Sequence, residues 1–153
     1  MSHTQLEAFL LAASSCAHAM LENAMFIEKE LPTLAVPEPF QSQISQVCSA
    51  LVGTKHDIIT EVFELHELRE HGEPPGSITV QRRVERIVAW LGEELPKLHA
   101  LVQALEAATE TRSPTSGAYI LVAESATNVY RTYEHVSLAA DKYREAVRSN
   151  AGA

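Results

Sequence analysis

The stretch KHDIITEVFELHELREH, residues 55–71, contains three histidines and five acidic side chains among 17 residues. Imidazoles and carboxylates bind metal ions and transfer protons in acid–base catalysis, so this density suggests a chemical site. The same stretch carries apolar residues at helical spacing, including Ile58, Val62 and Leu65. It is therefore predicted to be helical, and each polar side chain can be assigned to a helix face.

Most of these polar side chains fall opposite the apolar face, where water would solvate them: His56, Asp57, Glu61, Glu64, Glu67, Glu70 and His71. Lys55 and His66 instead fall within the apolar arc. We expect His66 to be buried near one end of the molecule, facing Glu7. The pair would form either a hydrogen-bonded core contact or a pH-sensitive latch.

The histidines lack the spacing of a carboxylate-bridged metal centre. Such centres in helical bundles use Glu-x-x-His pairs that point inward, and no histidine in this chain follows an acidic residue by three positions. His18, His56 and His135 fall at one height when the helices are aligned, but each points about 130° away from its own apolar seam. We therefore expect no metal and no cofactor.

No nucleophilic or phosphate-binding motif is present in the sequence. Cys16 lies among small residues with no basic neighbour, which is typical of a packing thiol. Cys16 and Cys48 fall on different helices at heights about 15 Å apart, too far for a disulfide. Two free thiols are typical of a reducing compartment, so we expect a cytoplasmic protein. Because no catalytic set of residues is recognisable, we expect that the protein is not an enzyme.

The charge is divided unevenly along the 153 residues. Residues 1–76 hold 11 acidic and 3 basic side chains, a net charge of −8, whereas residues 77–153 hold nine of each. Such a surface disfavours nucleic acids and anionic membranes as partners. No basic residue precedes the apolar stretch FLLAASSCAHAML. We therefore expect no export signal, and we expect no apolar run long enough to span a bilayer.

Four apolar runs in alternating steps of three and four residues predict four helices, at about 3–31, 39–71, 78–109 and 114–149. Short connections between them predict one domain over residues 1–153, an antiparallel up-down-up-down four-helix bundle. Ser77 is a predicted N-cap, Ser113 and Pro114 mark the predicted start of the fourth helix, and Pro96 is expected to kink the third.

The middle of this bundle is predicted to be short of side-chain volume and partly polar. Aligning the helices puts Lys55, Glu94 and Tyr133 at one height, with Tyr130 beside them. A structural interpretation is a polar layer that fixes helix register. A functional interpretation is a pocket for a small ligand, with Lys55 or Tyr133 as its polar anchor.

Two functions follow from these features. The first is an interaction or regulatory module that binds a basic protein partner or associates with itself, through an exposed apolar patch of Phe9, Leu21, Phe63, Trp90 and Leu101. The alternative is a ligand-binding or sensory bundle that uses the pocket near Lys55, Glu94 and Tyr133. Arg82, Arg83 and Arg86 are expected to form ion pairs with the acidic second helix.

Overall fold

The chain forms the predicted four-helix bundle in the computed structural model, which describes residues 2–111 and 115–151. The helices are α1 (Ser2–Glu30), α2 (Phe40–Glu70), α3 (Ile78–Thr111) and α4 (Ser116–Ala151), with a short 3₁₀ helix at Leu31–Leu34 after α1. No strand occurs in the described residues. The start proposed for the fourth helix at Ser113 and Pro114 lies outside the described ranges.

Each helix runs antiparallel to its neighbours. Helix α1 packs against α2 and α4, and α3 packs against the same two helices, so α1 and α3 lie diagonally opposite. Ion pairs join the helix ends: Arg69 Nη1 lies 2.7 Å from Glu7 Oε1, and Arg144 Nε lies 2.6 Å from Glu85 Oε1. The first pair joins the start of α1 to the end of α2, and the second joins the start of α3 to the end of α4.

The turn between α2 and α3 is built from local signals. Gly72 has φ +87°, and its N–H donates to the Arg69 carbonyl at 3.0 Å while Glu73 N–H donates to the Leu68 carbonyl at 2.9 Å. This is a Schellman ending, which favours glycine at the left-handed position. Ser77 Oγ then accepts the Val80 N–H at 3.2 Å, which confirms Ser77 as the N-cap of α3.

Helix α3 is a single helix although Pro96 lies inside it. The proline has no N–H, so the Gly92 carbonyl loses its usual intrahelical donor. Gly92 and Pro96 are both exposed, which leaves that end of the interrupted ladder open to water.

One continuous core runs through the bundle. Its centre includes the small buried side chains of Ala13, Cys16 and Ala17 on α1. Both cysteines are buried and free. At one end of the bundle, Tyr143 is buried, and its Oη donates to the Pro75 carbonyl at 2.6 Å. Burial raises the pKa of the Tyr143 hydroxyl to about 12.

The expectation that no apolar run could span a bilayer was wrong for α1. The segment His3–Leu34 is long and apolar enough to cross a membrane by length and composition. The core helix of a water-dissolved bundle and a signal sequence pass the same test, so this finding is weak evidence for either. In the bundle, α1 buries one side against α2 and α4, and its other side exposes apolar residues such as Leu11 and Met25.

Candidate protein-docking groove

The predicted polar layer is divided among three separate edges of the bundle. Lys55 lies two turns after Cys48, on the side of α2 that faces α1. Glu94 lies three turns after Arg83, on the side of α3 that faces α2, and pairs with Lys97 at 3.1 Å. Lys55 and Glu94, both within the described chain, form no ion pair, because they lie on opposite sides of α2. The predicted Lys–Glu–Tyr layer is therefore wrong.

The two tyrosines of that prediction line an open groove between α3 and α4. The groove has a volume of about 330 Å³, and its lining includes Gly92, Pro96, Tyr130 and Tyr133. Tyr130 Oη donates to the Leu95 carbonyl at 2.7 Å, which holds the ring across the groove wall. Neither Lys55 nor Glu94 lines it, so the groove lacks the charged anchor that the sequence suggested.

The predicted burial of His66 against Glu7 was also wrong. Both side chains are exposed. The hydrogen bond from Arg69 is the main reason that the pKa of the Glu7 carboxyl is lowered, and His66 makes only the smallest contribution. The helical wheel put His66 within the apolar arc of α2, but that part of the helix borders an open depression between α1 and α2.

The prediction that Glu61 faces solvent was wrong. Its side chain is 7% exposed and accepts from Arg83 Nη1 at 2.7 Å and from Arg86 Nη1 at 3.4 Å. The expected ion pairing between α2 and the arginines of α3 is confirmed for Arg83 and Arg86. A clue was present in the sequence, because Glu61 lies three positions after Ile58 and four before Leu65, which is the spacing of the apolar seam.

The predicted apolar patch does not exist as a surface. Phe9 and Leu101 are buried in the core, and Leu21 and Trp90 are half-buried. A bundle helix buries a broad arc against two neighbours, so residues flanking the seam, such as Phe9 and Leu101, are covered as well. Only Phe63 is exposed as predicted, at 62%.

A different set of exposed apolar side chains follows the boundary between α1 and α2. Met25 is 61% exposed and Val52 is 39% exposed. These two residues line opposite walls of a depression of about 460 Å³, whose lining also includes Cys48 and Glu28. Desolvation raises the pKa of the Cys48 thiol to about 12, and the nearby Glu28 carboxylate adds to the shift.

The same boundary continues toward the other end of the two helices. Leu11 is 71% exposed and lines a second depression of about 340 Å³ together with His66. Leu11 and Met25 are 14 positions apart, close to four whole turns, so they share one face of α1. Val52 and Phe63 are 11 positions apart, close to three whole turns, and share one face of α2.

We call the surface between these faces the α1–α2 groove, and its four exposed apolar residues are Leu11, Met25, Val52 and Phe63. Helix α1 has no Asp, Glu, Lys or Arg from residue 8 to residue 21, so a long part of its wall is uncharged. Elsewhere, exposed apolar residues such as Ile120 and Leu138 on α4 lie 18 positions apart, about 27 Å along the helix. Both lie on α4, so they do not form opposite walls of a groove between two helices as Met25 and Val52 do.

The histidines and cysteines of the described residues are the other candidates for chemistry. Among residues 2–111 and 115–151, no three His, Cys, Asp or Glu side chains come together in a way that could hold a metal ion. Within the same ranges, His18, His56 and His135 are all exposed. Burial is the main cause of a raised pKa for the Cys16 thiol, which disfavours its reactive thiolate form.

Comparisons of the chain with protein-family models, with curated proteins and with solved structures gave no match. The geometry and charge of the α1–α2 groove therefore carry the functional inference.

Proposed function

We propose that this chain is a non-enzymatic interaction module that acts by binding another protein in the α1–α2 groove. The observation that carries the proposal is the alignment of Leu11, Met25, Val52 and Phe63 along one boundary between two helices. Exposing four large apolar side chains in a row is unfavourable in water, and covering them would remove that cost.

The dimensions of the groove suit a helical occupant. Leu11 and Met25 span about 21 Å on one wall, and Val52 and Phe63 span about 16 Å on the other, at the helical rise of about 1.5 Å per residue. A helix of about 14 residues has the same length. Helices that bind in this way place an apolar stripe in the groove and keep polar residues outside.

A crosslinking experiment tests this function. A photo-reactive phenylalanine analogue replaces Phe63 in one variant and Leu138 in a control variant, and each is produced and irradiated in cells of the source organism. We expect a discrete heteromeric adduct from position 63 and none from position 138. Equal labelling at both positions, or no adduct at position 63, would refute binding in the groove.

A second candidate function is binding of a small molecule between α3 and α4, supported by Tyr130 and Tyr133 in the open groove beside Gly92. Native mass spectrometry of protein purified from its source should then reveal a bound compound. In the Gly92→Phe variant, the new side chain would fill the groove, and the bound compound would be absent. A wild-type mass equal to that of the chain alone would argue against this candidate.

The proposed setting is the cytoplasm. Two buried free thiols are compatible with a reducing compartment, and the net charge of −8 disfavours anionic membranes and nucleic acids as partners. The acidic surface also limits the class of protein that could occupy the groove.

A further inference from the structure

We propose that the occupant of the α1–α2 groove is a basic amphipathic helix of another protein. This inference rests on the proposed function, because it names the class of partner for the same groove. Two observations carry it. The apolar groove is about as long as a helix of 14 residues, and residues 1–76, which include both helices of the groove, carry all of the protein's net negative charge.

The charge belongs to the elements that build the groove. Helices α1 and α2 lie within residues 1–76, which have a net charge of −8 (11 acidic against 3 basic side chains), whereas residues 77–153 have a net charge of zero. A cationic helix would therefore be attracted to the α1–α2 side, and electrostatic attraction of this kind directs association as well as orientation.

Individual carboxylates border the apolar residues. Glu22 lies three turns after Leu11 on the same face of α1, and Glu70 lies two turns after Phe63 on the same face of α2. Glu28 lines the depression beside Met25. All three acids are exposed, and none belongs to an ion pair within the described chain.

The cations on this side do not cancel those acids. Arg69 is held by Glu7 at 2.7 Å. Lys29 and Lys55 are the other two cations of α1 and α2, and they are outnumbered by the nine acidic side chains of these helices. Lysine or arginine side chains flanking an apolar stripe would find acceptors along both walls of the groove.

A second copy of this chain is a poorer occupant. Docking two α1–α2 surfaces face to face would bring together two pairs of helices that each carry a net charge of −6 (nine acidic against three basic side chains), and like-charge juxtaposition opposes association. The expected partner segment has about 14 residues, apolar residues at i, i+4, i+7 and i+11, and Lys or Arg at the flanking positions.

Three synthetic peptides of 15 residues test this specificity by fluorescence anisotropy. The first is a leucine–lysine helix with leucine at positions 1, 5, 8, 12 and 15, and the second replaces every lysine with glutamate. The third keeps the composition of the first but shuffles the order to destroy the stripe. We expect the first peptide to bind at least tenfold more tightly than either of the others, and to weaken as salt is added.

Matched variants of the full chain show where the peptide binds. Met25→Ser combined with Phe63→Ser removes apolar surface from the groove, and Ile120→Ser combined with Leu138→Ser removes it from the outer face of α4. These positions are exposed, so both double variants should fold. We expect at least a tenfold loss of affinity for the groove variant and less than a twofold change for the α4 variant.

Three results would overturn the inference. Equal binding of the lysine and shuffled peptides would show unspecific attraction, and equal binding of the glutamate peptide would exclude charge complementarity. A wild-type chain that forms a dimer, together with a Met25→Ser/Phe63→Ser variant that stays monomeric, would identify a second copy as the occupant of the groove. Crosslinks at position 63 without a preference for the lysine peptide would leave the proposed function standing and remove only this inference.

Discussion

The Glu61 carboxylate joins α2 to α3 by accepting hydrogen bonds from two arginines, and it does so from a buried position. Charge-assisted hydrogen bonds of partly buried groups contribute more than exposed ion pairs. We expect Glu61→Gln to lower the free energy of unfolding by about 1–2 kcal/mol. Its exposed neighbour Glu64 is the matched control, and Glu64→Gln should change stability by less than about 0.5 kcal/mol. Urea unfolding of both variants measures the difference; equal effects would contradict it.

The Cys48 thiol makes a prediction about pH. Its pKa rises from 9.0 to about 12, chiefly because burial disfavours the thiolate, with a smaller contribution from Glu28. The unfolded chain therefore loses this proton near pH 9 while the folded chain keeps it. The contribution of Cys48 to stability is present below pH 9 and is lost as the pH rises toward 12.

Urea unfolding at several pH values between 8 and 11 checks this prediction. Cys48→Ala should be less stable than the wild type at pH 8, because it leaves a cavity, but its stability should fall less steeply as the pH rises. Parallel pH profiles for the two proteins would show that the thiol does not titrate differently in the folded and unfolded states.

At the scale of the helices, two glycines should respond oppositely to the same substitution. A Cβ at Gly92 meets nothing within 4 Å, so Gly92→Ala should stabilise α3 by up to about 1 kcal/mol through helix propensity. Gly72 has φ +87° at the end of α2, and Gly72→Ala should destabilise by about 1 kcal/mol because alanine tolerates that conformation poorly. Thermal unfolding distinguishes them, and a shift of the same sign in both would refute the assignment.

The helices were predictable because their apolar seams and end signals are local. Ser77 and the turn around Gly72 are correct from sequence, since each depends on residues within a few positions. Which side chains flanking the seams are buried was not predictable. A helical wheel gives the direction of a side chain, but it does not show which neighbouring helices cover that direction. Phe9 was assigned to the surface, yet α4 and α2 together enclose a wider arc of α1 than its seam marks.

The candidate site was predictable only in outline. The acidic excess of the first half followed from composition, and Phe63 is the one exposed residue among the five that the sequence proposed for an apolar patch. The rest of the groove was not found, because the α1 wall with Leu11 and Met25 comes to lie beside α2 only when the two helices pack together. The predicted contact between Lys55 and Glu94 was wrong for a similar reason, because two side chains at the same height along the bundle need not lie on the same side of α2.

The whole molecule is an asymmetric bundle in which one side differs from the other in charge and in apolar exposure. Helices α3 and α4 carry nearly balanced charge (nine acidic against eight basic side chains), and Ile120 and Leu138 stand far apart on α4. Helices α1 and α2 combine a net charge of −6 (nine acidic against three basic side chains) with four aligned apolar residues. This coincidence is what a docking surface for a basic amphipathic helix requires.

Methionine methyl NMR tests that claim most directly. Met25 lies in the α1–α2 groove and Met20 lies in the core of the same helix, so a chain labelled at its methionine methyl groups carries a groove probe and an internal control. During titration with the leucine–lysine peptide, we predict a saturable shift of the Met25 resonance and an unchanged Met20 resonance. An unchanged Met25 resonance at saturating peptide, or equal shifts of Met20 and Met25, would contradict docking in the groove.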